Sequence, residues 1–155
     1  MQEQPLDAFL AAHPFFKELD QAYLHLLAGC ASNVVFQPGQ YLFREGDQAN
    51  RFFAIRQGKV ALEIAVPGRV AITIETLDDG DVLGWSWIVP PHTKQFDARA
   101  VELTRALAFD ATCLRGKCEH DPKLGFELMK RFTQLLGQRL QATRLQLLDV
   151  YTSSA

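Results

Sequence analysis

The spacing of hydrophobic residues changes twice along the chain. Over residues 5–31 they recur at intervals of three and four, which is typical of amphipathic helices. From residue 32 short apolar segments alternate with glycine-containing turns, a pattern typical of a β-sandwich or barrel. After residue 120 the helical spacing returns and continues to residue 150. We therefore expect an amino-terminal helical segment over 1–31, a β-roll over 32–120 and a carboxy-terminal helix over 121–155.

The β-like region divides into short segments that end at turn residues. The predicted strands are Val34–Phe36, Tyr41–Phe43, Arg51–Ile55, Val60–Val66, Val70–Thr76 and Phe96–Ala100. Residues 101–110 complete this roll, and Leu103, Leu107 and Phe109 are expected to face inward. The chain is thus predicted to be mainly β, with helices on its flanks.

The carboxy-terminal helix has a clear start and a long apolar stripe. Asp121 is a good N-cap and Pro122 suits the first helical position. The stripe comprises Met129, Phe132, Leu136, Leu140, Thr143, Leu147 and Val150. Its heptad-like spacing is typical of a helix that meets a partner helix, so we expect a homodimer through residues 122–150.

Composition limits the functional classes. The chain has 155 residues, 48% of them hydrophobic, which suits one folded domain. Its formal net charge of −2 gives no general attraction to nucleic acid. No apolar run is long enough to span a bilayer, and residues 1–5 do not resemble a signal peptide. A cytoplasmic location without membrane association is therefore expected.

The chain contains three cysteines, Cys30, Cys113 and Cys118. An odd number in a chain expected to be cytoplasmic argues against a disulfide framework. The spacing of Cys113 and Cys118 is wider than that of a zinc knuckle. We therefore predict reduced thiols with a structural role.

Residues 80–100 contain an irregular segment that leads into the predicted strand Phe96–Ala100, and binding sites often lie in irregular backbone between strands. Gly80, Asp81 and Gly84 resemble the phosphate-binding cassette of cyclic-nucleotide-binding domains, as in the catabolite activator protein family. Glycines at the family's turn positions extend the resemblance over about residues 15–150: Gly39, Gly46, Gly58, Gly80 and Gly84. The resemblance implies a double-stranded β-helix, or jelly roll, and a cyclic nucleotide ligand.

The chain departs from the family at the two side chains that define the ligand. Where the family has a Glu that holds the ribose hydroxyl, this chain has Trp85. The family's phosphate-binding Arg corresponds to Lys94 or Gln95. An indole accepts no hydrogen bond, and a lysine ammonium lacks the bidentate geometry of a guanidinium. The ligand, if there is one, therefore need not be cyclic AMP.

The candidate ligand-binding residues are Gly84, Trp85, Ser86, Trp87, Lys94, Gln95, Arg99 and Thr143. In extended backbone the two tryptophans would face one side, either as a wall for a flat ligand or as core packing. Lys94 and Arg99 are either anion contacts or surface charges. The resemblance places Thr143 where the long helix reaches the nucleobase across a dimer, and a polar residue in the dimer seam is the alternative. No catalytic set and no metal site are apparent in the sequence.

Two functions are consistent with these features. The first is a non-catalytic, ligand-sensing regulatory module, and the second is a ligand-free pseudo-sensor that acts through a protein partner. A cupin-like enzyme would need metal-binding His and Glu residues, which the predicted strands lack. After Val150 few residues remain, so no helix-turn-helix domain and no specific DNA binding by this chain alone are expected.

Overall fold

The computed structural model describes residues 6–153. It begins with two short helices, α1 (Leu6–Ala12) and α2 (Gln21–Ala28). Asp20 lies at the N-cap of α2, although its side chain makes no capping hydrogen bond. The apolar faces of both helices bury Leu10, Leu24 and Leu27 against the rest of the molecule.

Eight strands in the described part of the chain form two antiparallel sheets. They are β1 (Ala31–Phe36), β2 (Tyr41–Phe43), β3 (Arg51–Gln57), β4 (Val60–Ile64), β5 (Ile72–Leu77), β6 (Val82–Leu83), β7 (Asp97–Ala100) and β8 (Thr104–Asp110). One sheet has the order β1-β8-β3-β6 and the other the order β2-β7-β4-β5. The expected mainly β class, with flanking helices and a long final helix, is confirmed.

Strand β3 is buried on both faces and lies between the two parts of the core. Phe52 and Ala54 contribute to a cluster beneath the helices, whereas Phe53 and Ile55 contribute to a cluster between the sheets. This explains why β3 is a continuous apolar run instead of an alternating one. The expected inward positions of β8 are confirmed for Leu107 and Phe109, but not for Leu103, which precedes the strand and is exposed.

A helix that was not predicted, α3 (Ala111–His120), follows β8 directly. The side chain of Asp110 caps it by accepting a hydrogen bond from the amide of Cys113 at 2.7 Å. The sequence predicts residues 111–120 as part of the roll, because they show no clear helical spacing of apolar side chains. Asp110 is the local signal for this helix start.

Helix α4 (Pro122–Ser153) begins where the Asp121-Pro122 pair predicts. The carboxylate of Asp121 accepts hydrogen bonds from the amides of the first turn. Leu124, Leu128 and Phe132 are buried against the core, whereas residues 140–152 are exposed. Among the described residues, no helix combines the length and apolarity needed to cross a membrane.

The prediction of three reduced thiols is wrong for one pair, because Cys30 and Cys113 are joined by a disulfide. The amide of Asp110 donates to the carbonyl of Cys30 at 2.9 Å, so pairing of β1 with β8 brings Cys30 beside the first turn of α3. Their Cα atoms lie 5.8 Å apart, within the range of disulfides. Cys118 remains a free, half-buried thiol.

Candidate functional site

The candidate site is built around a glycine at the end of β6. Gly84 has φ of 99°, in the left-handed region, and starts a short 3₁₀-helix over Trp85–Trp87. A Cβ atom at this position would lie 3.1 Å from the Cα of Phe52 and 2.8 Å from the Nζ of Lys94. Gly84 is therefore required both by its backbone conformation and by close packing.

The two tryptophans do not lie in extended backbone, so the premise that they face the same side is wrong. In a 3₁₀-helix with three residues per turn, side chains two positions apart diverge. Trp87 is 1% exposed and stacks on Phe52, with ring centroids 5.3 Å apart. The half-buried side chain of Trp85 packs against the same cluster. Trp87 is thus a core residue, and Trp85 lies at the edge of the core.

Lys94 is buried, which excludes its interpretation as a surface charge. The residue is 3% exposed, and its Nζ donates a hydrogen bond to the carbonyl oxygen of Arg51 at 2.8 Å. The same nitrogen lies 4.2 Å from the centroid of the Phe43 ring. Burial, with a smaller contribution from the charge of Arg51, lowers the pKa of Lys94 to about 8.

No carboxylate in residues 6–153 forms an ion pair with Lys94. Asp47, at the exposed rim, raises the pKa of Lys94 as the smallest of three contributions. A lysine ammonium has three donors, and one of them is used by the carbonyl of Arg51. The amine therefore retains hydrogen-bonding capacity that the described residues do not use, although its side chain is buried.

This amine lines a pocket of about 420 Å³ on the side of β2 and β3. Apolar walls and polar rim residues share the lining: Leu42, Phe43, Asp47, Gln48, Asn50, Arg51, Phe53 and Lys94. A second cation, the exposed Arg51, extends over the ring of Phe53 at 5.2 Å. The pocket thus combines two positive charges with one negative charge, an arrangement that favours an anion.

The other predicted contacts lie apart from this pocket. Arg99 on β7 forks onto the carboxylate of Glu63 at 2.9 and 3.2 Å, which raises the pKa of its guanidinium. Gln95 is exposed and donates to the carbonyl of Thr93 at 3.0 Å. Ser86 is buried within the 3₁₀-helix. The structure therefore brings together Gly84 and Lys94, and does not bring Gln95 or Arg99 to them.

Thr143 lies on the exposed second half of α4. Its hydroxyl donates to the carbonyl of Arg139, one turn earlier, at 2.9 Å. In the single chain it lines none of the pockets described here. A role for Thr143 at a ligand would require the helix of a second chain, so that role stays a prediction.

Sequence reasoning missed two arginines that shape the site. Arg51 was treated as part of a strand, yet its carbonyl holds Lys94 and its side chain lies at the pocket rim. Arg139 reaches from α4 to the carboxylate of Glu75 at 3.5 Å and donates to the carbonyl of Val82. Arg139 therefore joins the long helix to the strand that ends at Gly84. Neither role has a local sequence signal, because both depend on contacts between distant segments.

The chain belongs to the cyclic nucleotide-binding domain family, whose model matches residues 33–121, more than half of the chain. It is 24% identical over 145 residues to the CRP-like cAMP-activated global transcriptional regulator of Mycobacterium tuberculosis. The match covers 94% of this chain and 63% of that regulator, so this chain spans less than two thirds of its relative.

Solved structures share the fold. A putative cyclic nucleotide-binding protein from Geobacter metallireducens GS-15 has a TM-score of 0.79 at 23% identity, with 90% of this chain and 99% of that chain covered. The Thermus thermophilus catabolite activator protein has a TM-score of 0.70 at 23% identity, with 90% and 63% covered. These similarities show that the described helices and strands have the fold of this family's domain.

Proposed function

We propose that this chain is a non-catalytic regulatory module that senses an anionic ligand in the Lys94 pocket. The observation that supports this most strongly is a buried ammonium without a carboxylate partner in the described chain. Burying an unpaired charge is costly, and proteins usually compensate by pairing it. An anion that entered the pocket would supply the missing partner for Lys94.

The ligand we propose carries a phosphate or a similar anionic group, as a cyclic nucleotide does. Of the two residues that correspond to the family's phosphate-binding Arg, Lys94 and Gln95, we favour Lys94, because it lies against Gly84 at the start of the cassette's 3₁₀-helix. Trp85 provides no acceptor for a ribose hydroxyl. We therefore expect weak binding of cyclic AMP at best, and a preference for ligands that do not depend on a carboxylate at position 85.

The second candidate function is a ligand-free pseudo-sensor that regulates a protein partner. One observation favours it: the Nζ of Lys94 already occupies the space directly beside Gly84. In that case the side chain of Lys94 fills the space that a phosphate would occupy, and it is held there by the carbonyl of Arg51 and the ring of Phe43. A pocket filled in this way would hold no phosphate.

In either function we propose that α4 transmits the regulatory signal, and that two copies of the chain form a homodimer through this helix. Five apolar residues of the predicted seam are exposed in the single chain: Met129, Leu136, Leu140, Leu147 and Val150. Phe132 belongs to the core instead, so the proposed contact lies mainly after residue 135. Arg139 links this helix to β5 and β6, and β6 pairs with β3, whose Arg51 and Phe53 line the pocket.

A thermal-shift panel tests the choice between the two functions. Cyclic AMP, cyclic GMP, linear nucleotides and inorganic phosphate are added to the unmodified protein and to Lys94→Met. A sensor predicts that at least one anion raises the melting temperature of the unmodified protein and not that of Lys94→Met, because binding to the folded state stabilises it. Lys123→Met, which removes an exposed lysine elsewhere, is the matched control.

If no anion raises the melting temperature, the sensor proposal is wrong and the pseudo-sensor is favoured. If the shift is equal in Lys94→Met, an anion binds elsewhere and the assignment to this pocket is wrong.

A further inference from the structure

The disulfide between Cys30 and Cys113 joins two segments that are far apart in sequence. Cys30 lies between α2 and β1, and Cys113 is the third residue of α3. Cys30 is 7% exposed, whereas Cys113 is half-buried. Of the two bridged residues, Cys113 is therefore the one more accessible to a thiol in solution.

Helix α3 holds the rim of the Lys94 pocket through its first residue. The amide of Ala111 donates to the carbonyl of Asn50 at 2.8 Å, and Asn50 lines that pocket beside Arg51. Ala111 is also fully buried, so the start of the helix is packed as well as hydrogen-bonded. The bridge at Cys113 is in the same helical turn, and it therefore fixes the backbone that positions the pocket rim.

The middle and the end of α3 contact two further elements. The Nη1 of Arg115 donates to the carbonyl of Trp87, in the cassette's 3₁₀-helix, at 2.7 Å. Cys118 packs so closely on Gly125 of α4 that a Cβ atom at position 125 would lie 3.3 Å from the Cβ of Cys118. One helix of 10 residues thus connects the pocket rim, the cassette and the long helix.

Hydrogen bonds supplement the bridge where α3 meets the junction of α2 and β1. The amide of Asp110 donates to the carbonyl of Cys30 at 2.9 Å, and the Nζ of Lys117 donates to the carbonyl of Leu26 at 2.8 Å. A single hydrogen bond contributes less to stability than a disulfide typically does. Without the covalent link α3 therefore stays attached, but its first turn is held less firmly.

We infer that the Cys30–Cys113 bridge is a redox switch, whose reduction by a dithiol loosens the first turn of α3 and thereby weakens anion binding at the Lys94 pocket. The closed bridge keeps the pocket rim preorganised for a ligand. With the bridge open, the rim is in its binding geometry for a smaller fraction of the time, so the apparent affinity falls. The effect on binding rests on the proposed function, whereas the loosening of α3 does not.

The reduction proceeds in two steps of thiol–disulfide exchange. A thiolate of the dithiol attacks the Sγ of Cys113, and the Sγ of Cys30 leaves as a thiolate that takes up a proton. The second sulfur of the dithiol then attacks the first, which closes a cyclic disulfide and releases the Sγ of Cys113 as a thiolate. The amides in the first turn of α3 stabilise that thiolate before it takes up a proton. Two electrons and two protons pass from the dithiol to the protein.

The first test asks whether the folded protein is reduced. Cys118→Ser is the parent variant, because it retains only the bridged pair of the three cysteines. Dithiothreitol is added at several low urea concentrations, and mass spectrometry after alkylation counts the free thiols. Attack on the folded bridge should depend little on urea, whereas attack that requires unfolding accelerates with the unfolded fraction. An acceleration in parallel with the unfolded fraction would overturn the inference.

Amide ¹H–¹⁵N spectra of the oxidised and reduced parent variant show where reduction acts. A bridge that only stabilises the fold acts mainly on the unfolded chain, and leaves distant native positions unchanged. A switch predicts altered signals at Asn50 and Trp87, which α3 contacts, and unaltered signals in β4 (Val60–Ile64). Changes confined to the neighbours of Cys30 and Cys113 would show a structural role alone and refute the switch.

Calorimetry with cyclic AMP and with inorganic phosphate measures the effect on binding. We expect the reduced parent variant to bind about threefold more weakly or less tightly still, because its rim is less often in the binding geometry. Equal affinity in the two redox states would refute the link from α3 to the pocket. If neither anion binds in either state, the proposed anion site is wrong, and the amide spectra then decide the inference on α3.

Cys30→Ser in the parent variant is the matched control, because it cannot form the bridge. It should resemble the reduced parent variant and should not respond to dithiothreitol. A response that persists in Cys30→Ser would mean that the reagent acts elsewhere, which contradicts the switch. Lys117→Met removes only the hydrogen bond to Leu26 and should keep the redox response. The comparison of redox states in one chain stays decisive if Cys30→Ser fails to fold.

Discussion

At the scale of single residues, Lys94 carries the proposed sensing function. Its ammonium is buried and is held by one carbonyl and one aromatic face, without a carboxylate partner among residues 6–153. This environment disfavours the charged form, which is why the pKa falls to about 8. The unpaired positive charge of Lys94 lowers the stability of the fold, and the same charge favours binding of an anion in the pocket.

The lowered pKa predicts a specific pH dependence of stability. Between pH values of about 8 and 10.5 the unfolded chain keeps a proton that the native protein has lost, so the free energy of unfolding rises with pH. Below about pH 8 both states are protonated and the full penalty applies. Relative to Lys94→Met, the native protein should gain up to about 3 kcal/mol across this window, at about 1.4 kcal/mol per pKa unit.

Urea denaturation at several pH values measures this difference. Lys123→Met, which replaces an exposed lysine, should show no such gain relative to the unmodified protein. A difference between native protein and Lys94→Met that does not change with pH would contradict the buried, unpaired state of Lys94.

Also at the residue scale, the two departures from the family predict how cyclic AMP binding can be restored. Since Lys94 lies beside Gly84 and Gln95 does not, we expect Trp85→Glu with Lys94→Arg to increase affinity by about a hundredfold or more. Calorimetry compares this double variant with the unmodified protein. Trp85→Gln with Lys94→Arg is the control, because it loses the same indole packing but lacks the carboxylate. Equal affinity in both double variants would show that position 85 does not hold the ribose.

At the scale of secondary-structure elements, α4 divides into a packed half and an exposed half. Leu140 and Leu147 lie in the exposed half, seven residues apart on one stripe, so their replacement does not disturb the core. We expect Leu140→Asp with Leu147→Asp to convert a dimer to monomers, because charges do not fit a helix seam. Sedimentation velocity measures the change, and Gln141→Asp with Gln146→Asp is the charge-matched control. If the unmodified chain is already monomeric at tens of micromolar, the dimer proposal is wrong.

Elements with a strong local signal were predicted well, and those without one were not. The glycine turns and short apolar runs locate the strands other than β6 (Val82–Leu83), which was not predicted, and Asp121 with Pro122 locates the start of α4. Helix α3 was missed, because its apolar residues lack helical spacing. The 3₁₀-helix over Trp85–Trp87 was also missed. The prediction assumed extended backbone, in which side chains alternate between two faces, whereas the positive φ of Gly84 starts a helical turn.

At the scale of the whole molecule, contacts between distant segments decide the site. Lys94 and Arg51 are 43 residues apart, and the bridged cysteines are 83 residues apart. No spacing rule reveals such pairs, because they arise only when the sheets close and the helices pack on them. This is why the family and the fold could be predicted from sequence, while the burial of Lys94 and the pairing of the cysteines could not.

The disulfide between Cys30 and Cys113 gives a prediction at this scale, since it ties the end of α2 to α3. A disulfide that closes a loop of this length lowers the conformational entropy of the unfolded chain and so stabilises the native state. Cys30→Ser should therefore lower the free energy of unfolding by about 2–4 kcal/mol. Chemical denaturation under non-reducing conditions measures the loss. Cys118→Ser, which removes the free thiol, should change stability much less, and equal losses in the two variants would contradict a structural role for the bridge.

The central claim, that Lys94 is a buried and unpaired cation available to an anion, is tested most directly by NMR of the lysine side chains. The εCH₂ signal of Lys94, assigned with Lys94→Met, is followed against pH in the free protein and with cyclic AMP or inorganic phosphate. The account predicts that the pKa of Lys94 lies at about 8 in the free protein and rises once an anion pairs with the amine. Titration near the ordinary value of 10.5, unaffected by either anion, would contradict it.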